Sequence, residues 1–248
     1  MKRHFKPFFI ASLLISLSTS FTMHAQSVEI ASQGWYVGVQ AGMPMAEADF
    51  SSFGADKFRP GWSTGIHAGY RFTQVWSAEF TANWGQQFLS EQACCYERGY
   101  TLGADMRRYR YNIPMGLDTY LYKDLLSRTF VQRYGLQANM NVLGFFKYIA
   151  DGRWHLELSP AVYAANTCSA LMFKADKTLV MKNLNKWHVG FGCNGQLSYA
   201  LSSNLNLAIY GGFTHFTGRT LDGIPKLHST NYIIDAGLKF NYFFTPKR

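Results

Sequence analysis

Residues 230–244, TNYIIDAGLKFNYFF, constrain the fold more than any other part of the chain. From Tyr232 every second residue is apolar: Tyr232, Ile234, Ala236, Leu238, Phe240, Tyr242 and Phe244. Between them stand Ile233, Asp235, Gly237, Lys239, Asn241 and Phe243, so an Asp and a Lys share the opposite face. Period-two alternation is a strand signal, because successive side chains of a strand point to opposite faces. Strands of soluble sheets usually stop at about 5–6 residues, whereas a tilted strand needs roughly 9–11 to cross a bilayer. This stretch is long enough. Its aromatic-rich face and its charged face fit lipid outside and a polar lumen inside.

Asp235, Gly237, Phe240 and Tyr242 fit a polar-x-Gly-x-x-aromatic-x-aromatic spacing. The spacing resembles the last-strand signal of bacterial outer-membrane proteins, and the resemblance implies the barrel assembly machinery as a partner during biogenesis. Family members often end on a terminal Phe, whereas residues 245–248 follow Phe244 here.

The other end of the chain reads as an export signal over residues 1–25. Lys2, Arg3 and Lys6 form a positive start, residues 8–17 a short apolar run, and Met23, His24 and Ala25 a cleavage site before Gln26. That run is about half the ~20 residues a membrane helix needs. Residues 26–248 then form one domain, with no linker or low-complexity tract. After the signal no apolar run reaches the length of a membrane helix, and a closed barrel is the other structure that satisfies its backbone in lipid. The chain carries 24 Lys and Arg against 15 Asp and Glu, a formal charge of +9. Removing the signal takes three of the 24 and no acid, which leaves 21 against 15, or +6. Such a charge attracts anionic headgroups or polysaccharide, or simply keeps the protein soluble. No dense basic run points to nucleic acid.

The alternation recurs upstream at about 34–42, 61–72, 75–87, 132–147, 154–166, 187–201 and 204–216. In the third of these, Trp76, Ala78, Phe80, Ala82 and Trp84 oppose Ser77, Glu79, Thr81, Asn83 and Gly85. Trp at both ends of one face is how an aromatic girdle looks in sequence. Pro160 cannot donate to a ladder, so a bulge is expected there. Short turns at 73–74, 148–153 and 202–203 alternate with long connections at 43–60, 88–131, 167–186 and 217–229. Short turns on one side and long loops on the other are expected of outer-membrane barrels. The reading is all-β: an eight-stranded antiparallel transmembrane β-barrel with long extracellular loops. Residues 88–131 are read as one external loop with a hairpin at Pro114, Met115 and Gly116; two further strands there, making ten, are the alternative. Within 137–160, Asn139, Asn141, Arg153, Trp154 and Pro160 occupy the places of an Asn-bearing strand, a turn with Arg, and an aromatic strand with Pro. This resembles small outer-membrane barrels of the OmpA/OmpX type. The resemblance implies a structural and surface-interaction role, with membrane lipid, lipopolysaccharide and a host or surface ligand as partners.

Eight strands leave an interior that side chains just fill. His67, Arg71, Glu79, Glu157, Asp235 and Lys239 are therefore expected to meet in one buried polar network, with a narrow ion path or small porin as the alternative. Cys94, Cys95 and Cys168 are placed on external loops, where one bridge between loops is available in an oxidising compartment; Cys193 faces lipid. Arg107, Arg108 and Arg110 flank Tyr109 and form either a contact for lipopolysaccharide phosphates or a solvated loop face. A lipid A-modifying enzyme is the second alternative. His228, Ser229, Thr230 and Asn231 distantly resemble a lipid A deacylase element, and His215 with Asp222 can be drawn as a base and its orienter. Order and spacing do not make a triad, so no catalytic residue is assigned. The Cys and His spacings make no zinc site, and nucleotide-binding and calcium-loop motifs are missing, so no cofactor is expected.

Overall fold

The computed structural model describes residues 33–54, 57–91, 99–146, 152–217, 221–224 and 231–244. Twelve strands appear among them: β1 (Gly34–Glu47), β2 (Phe50–Ser51), β3 (Trp62–Arg71), β4 (Trp76–Glu91), β5 (Thr101–Gly103), β6 (Arg108–Tyr109), β7 (Thr119–Leu121), β8 (Leu125–Asn141), β9 (Trp154–Phe173), β10 (Leu179–Ala200), β11 (Leu205–Phe216) and β12 (Tyr232–Phe243). Eight of them ring the barrel in the order β1, β3, β4, β8, β9, β10, β11, β12. Closure is antiparallel and in register, from Tyr36 opposite Phe243 to Glu47 opposite Tyr232. A closed ring leaves no edge, so each of its eight strands pairs on both sides without water.

The alternating residues take the faces expected of them. Leu136 is 67% exposed and Ile209 64%, and large apolar side chains cover the outer wall of every long strand. An apolar belt of that extent has no place in water and an obvious one in lipid. One rim carries the ring contacts Trp35 to Tyr70 at 5.1 Å, Trp154 to Tyr199 at 4.9 Å and Tyr242 to Phe244 at 5.4 Å. Trp62, Trp84 and Trp187 mark the other. From Trp76 to Trp84, β4 rises about 20 Å at ~3.3 Å per residue and a tilt near 40°, close to the ~25 Å band of outer-membrane barrels.

Short turns close the rim where β1 begins and β12 ends. The Thr73 hydroxyl accepts the N–H groups of Val75 and Trp76, and the Ser202 hydroxyl those of Asn204 and Leu205. Small hydroxyl residues stabilise such turns by replacing a backbone acceptor.

Several expectations need correction. Most of 167–186 is strand rather than loop: β9 runs to Phe173, β10 starts at Leu179, and the turn is closed by Phe173 N–H to Thr178 O at 3.0 Å. Beyond the lipid neither face has to be apolar, so the alternation fades while the ladder continues. In the opposite sense, β8 stops at Asn141, and Val142–Phe145 is a 3-10 turn rather than more strand. Pro160 causes no bulge. Gln137 opposite Ala161 and Met140 opposite Leu158 keep one register, and the ladder simply skips the positions between. Residues 88–91 and 125–131 prolong β4 and β8 rather than forming loop, and among the described residues between them none adds a further strand to the ring; β5, β6 and β7 form a separate sheet with β5 in the middle. The hairpin turn lies at 104–107, between β5 and β6, while the Pro114 to Leu117 turn belongs to the crossover from β6 to β7.

Candidate functional site: a laced lumen and a closed mouth

Three ion pairs cross the barrel interior. Arg133 on β8 meets Asp235 on β12 at 2.5 Å, Lys239 on β12 meets Glu79 on β4 at 2.9 Å, and Arg71 on β3 meets Glu157 on β9 at 3.5 Å. None of these strand pairs are neighbours in the ring. Each carboxylate has further donors. Glu79 accepts from Gln137 at 2.7 Å and from the Tyr36 hydroxyl at 3.1 Å, Glu157 accepts from Gln196, and Asp235 from the Tyr210 hydroxyl at 3.5 Å. Rings cover the cations: Arg133 lies 5.1 Å from the centre of Tyr163, and Arg71 4.6 Å from that of Phe243. Asn194 links the clusters by donating to Gln137 at 2.9 Å and to the Tyr163 hydroxyl at 2.6 Å.

Glycines leave the room this packing needs. A Cβ at Gly38 would lie 2.4 Å from His67 Nε2, and one at Gly42 2.4 Å from the Tyr210 oxygen. Beside Arg133 and Asp235 a void of about 20 Å³ remains, roughly the space of one water. Among the described residues, these three pairs set three cations against three carboxylates across the lumen.

Of the six residues expected in one network, Arg71, Glu79, Glu157, Asp235 and Lys239 sit in ion pairs, and His67, buried in the same lumen, bonds Asn241. Asp235's partner, Arg133, was missed. Its position on the inward parity of β8, with Gln137, Asn139 and Asn141, was the available signal. Tyr36, Tyr163 and Tyr210 were missed as well, because aromatics on inward positions read as core rather than as hydrogen-bond donors.

Above the polar layer the interior turns apolar. Phe50, Leu89, Leu102, Leu125, Leu171, Leu221, Ile224 and Ile233 are fully buried there in one cluster. Two connections reach inward to build it: β2 brings Phe50, and residues 221–224 bring Leu221 and Ile224. Asp222 fastens them. Its carboxylate accepts the N–H of Phe50 at 2.7 Å and of Ile224 at 3.0 Å, and its carbonyl accepts the Ser127 hydroxyl at 2.6 Å. Ser169 donates to the Leu221 carbonyl at 3.3 Å. Gly223 takes φ +82°, and a Cβ there would press on Leu184 at 2.8 Å. The next residue after Ser127, Arg128, faces outward, so this layer lies beyond the lipid belt. Burial, and next the charge of Asp49, push the Asp222 carboxyl up to about 7.

This placement overturns the base and orienter drawn from His215 and Asp222. His215 is on the outward face of β11 and exposed, whereas Asp222 is sealed in the mouth. His228, Ser229 and Thr230 lie outside the described residues; Asn231 is buried and its carbonyl receives Phe216 N–H at 2.7 Å. Cys168 is not on a loop but on the outward face of β9, as a free thiol opposite Asn185. Cys94 and Cys95 lie outside the described residues. Cys193 is exposed on the outer wall.

The three loop arginines sit on the small external sheet. Arg107 pairs with Asp105 at 3.9 Å; Arg108 and Arg110 lie 4.9 and 5.7 Å from the centre of Tyr100, and Arg110 lies 4.8 Å from that of Tyr111. In the last strand, Phe240 and Tyr242 face outward and Asp235 inward, while Gly237 lies against the backbone of Ala41.

The family model described as outer membrane protein beta-barrel domain matches residues 12–240. No curated protein sequence matches the chain. Among solved structures, the chain is similar to Neisserial surface protein A at 13% identity, with 85% of this chain and 97% of that one covered and a TM-score of 0.42. It is similar to Ail of Yersinia pestis, solved with the heparin analogue sucrose octasulfate, at 7% identity, 85% and 99% coverage and a TM-score of 0.43. OprG of Pseudomonas aeruginosa is similar at 11% identity, 88% and 100% coverage and a TM-score of 0.41.

Proposed function

The chain belongs to the outer membrane protein β-barrel domain family, and from that premise we propose a sealed barrel that works through its external face. The lacing of the lumen by three cross-barrel ion pairs carries this reading. A conducting pore needs a continuous wetted path. Here the membrane layer is filled by paired charges, and the mouth above it is apolar. The sealed barrel is then an anchor in the membrane, and the connections on the long-loop side make the contacts.

The small sheet β5 to β7 supports the contact half of the proposal. Arg108 and Arg110 are held by stacking, and Tyr111 stands exposed beside Arg110. Guanidinium groups suit phosphate or sulfate, and aromatic faces suit sugar rings. Lipopolysaccharide or an anionic host surface ligand is the partner class we infer. On the outer wall of β12, Phe240 and Tyr242 are the contact we assign to the assembly machinery. We assign no catalytic role to any residue. Proteoliposomes containing the refolded protein test the sealed state by swelling in arabinose. They should swell no faster than protein-free liposomes; swelling at porin rates would favour the small-porin reading instead.

A further inference from the structure

A second basic feature lies on the barrel's outer wall, apart from the arginines of the small sheet. Just beyond the lipid belt, a groove of about 530 Å³ is lined by Arg59, Phe88, Leu126, Arg128, Met172 and Lys177. The ladder places its walls. Phe88 of β4 is opposite Arg128 of β8, and Leu126 is opposite Met172 of β9, all on outward parity. Arg59 comes from the β1–β3 connection and Lys177 from the β9–β10 turn. Three chain segments distant in sequence thus bring three cations over an apolar floor. Among the described residues no carboxylate forms an ion pair with any of the three. The nearest acid in sequence, Asp176, is turned to the N–H and hydroxyl of Thr178.

Height and shape select the ligand. Trp84 marks the upper aromatic row, and Phe88 lies four residues further along β4. That is about 10 Å higher at ~3.3 Å per residue and a tilt near 40°, where headgroups begin and long basic side chains reach down to them. Leu126 and Met172 point outward, yet they are only 5% and 6% exposed, so the groove has a dry apolar floor. Lys177 also sits at φ +59°, a conformation that Gly or Asn adopts with less strain. A lysine at that place keeps a cation over the groove at the expense of local strain, as binding sites commonly do.

We propose that this groove binds one phosphorylated glycolipid of the surrounding leaflet, with its phosphates on Arg59, Arg128 and Lys177 and an acyl chain along Phe88, Leu126 and Met172. A zwitterionic phospholipid brings its own cation and leaves three positive charges uncompensated. A soluble phosphate gains nothing from the apolar floor. The proposal rests on the barrel lying in an outer membrane, not on whether it conducts.

Native mass spectrometry of the refolded full chain tests it, with diphosphoryl lipid A as the probe. One lipid A should remain bound after detergent stripping. Exchanging Arg128→Ala together with Lys177→Ala should weaken retention by about tenfold or more, the loss of charge-assisted phosphate contacts. Arg153→Ala, at the opposite rim, should leave it unchanged. Lys177→Gly, which suits the turn, gives the same readout without a risk to folding. Retention equal to wild type in both groove variants would overturn the site. Equal retention of phosphatidylethanolamine would overturn the phosphorylated ligand. Displacement of lipid A by inorganic pyrophosphate at matched concentration would overturn the lipid assignment.

Discussion

Arg133 and Asp235 meet at 2.5 Å although their strands, β8 and β12, stand opposite each other in the eight-membered ring. A contact between opposite walls sets the bore of the barrel. Such a pair is not a source of stability in itself, because desolvation of two charges offsets their attraction. Its consequence is asymmetric. Asp235→Ala strands a guanidinium that is under a tenth exposed and should destabilise the barrel by about 3–5 kcal/mol. The paired change Arg133→Met with Asp235→Leu should lose much less. Urea unfolding in lipid vesicles measures both.

The mouth should tighten on acidification. Asp222 has its folded pKa raised from 3.8 to about 7, first by burial and then by Asp49. Between those two values the folded protein binds a proton that the unfolded chain does not. Stability therefore rises as pH falls through 7 and levels off below about 4; above 7 the full penalty of the ionised group is present. Asp222→Asn should flatten this dependence. Proteolysis within residues 221–224 at pH 5.5 and pH 8, compared between wild type and variant, reads it. Equal pH dependence in the two proteins would count against the assignment.

Gly223→Ala tests the same plug without touching charge. At φ +82°, with Leu184 2.8 Å from the added carbon, the substitution has no strain-free arrangement. A loss of about 1–3 kcal/mol is expected, confined to the mouth, with the transmembrane strands unchanged. Hydrogen exchange at Phe50, Ile224 and Leu89 against that at Ala138 and Leu238 would separate the two regions.

Lys177→Gly should move in the opposite direction. Relieving a left-handed lysine adds about 1 kcal/mol to the β9–β10 hairpin. A gain in thermal stability together with weaker lipid A retention would mark the position as one kept for binding. A loss of stability would mean that the lysine side chain holds the turn.

The sequence made the ring legible wherever lipid lay on one side of it. Ile66 with His67, or Leu238 with Lys239, alternate because one face meets hydrocarbon and the other a polar lumen. Beyond the belt that contrast ends. Thr167, Ser169 and Leu171 all face inward, and Asn185 and Lys186 stand exposed, so strand and loop look alike in composition. The candidate site was half legible for the same reason. Parity placed Glu79 and Lys239 in the lumen, but parity names a wall and not the residue across it. Arg133 needed the ring's closure to find Asp235. The mouth was hidden altogether, because Phe50 and Ile224 are single apolar residues in polar connections and only the fold brings them together.

Single-channel recording in planar bilayers addresses the sealed lumen most directly. With insertion verified by the folded protein's electrophoretic mobility, the wild type should stay silent across the voltage range, and Asp235→Ala with Glu79→Ala should raise the frequency of small openings. Large, steady openings of the wild-type protein would contradict the account, which has Arg133 on Asp235 and Lys239 on Glu79 fill the lumen.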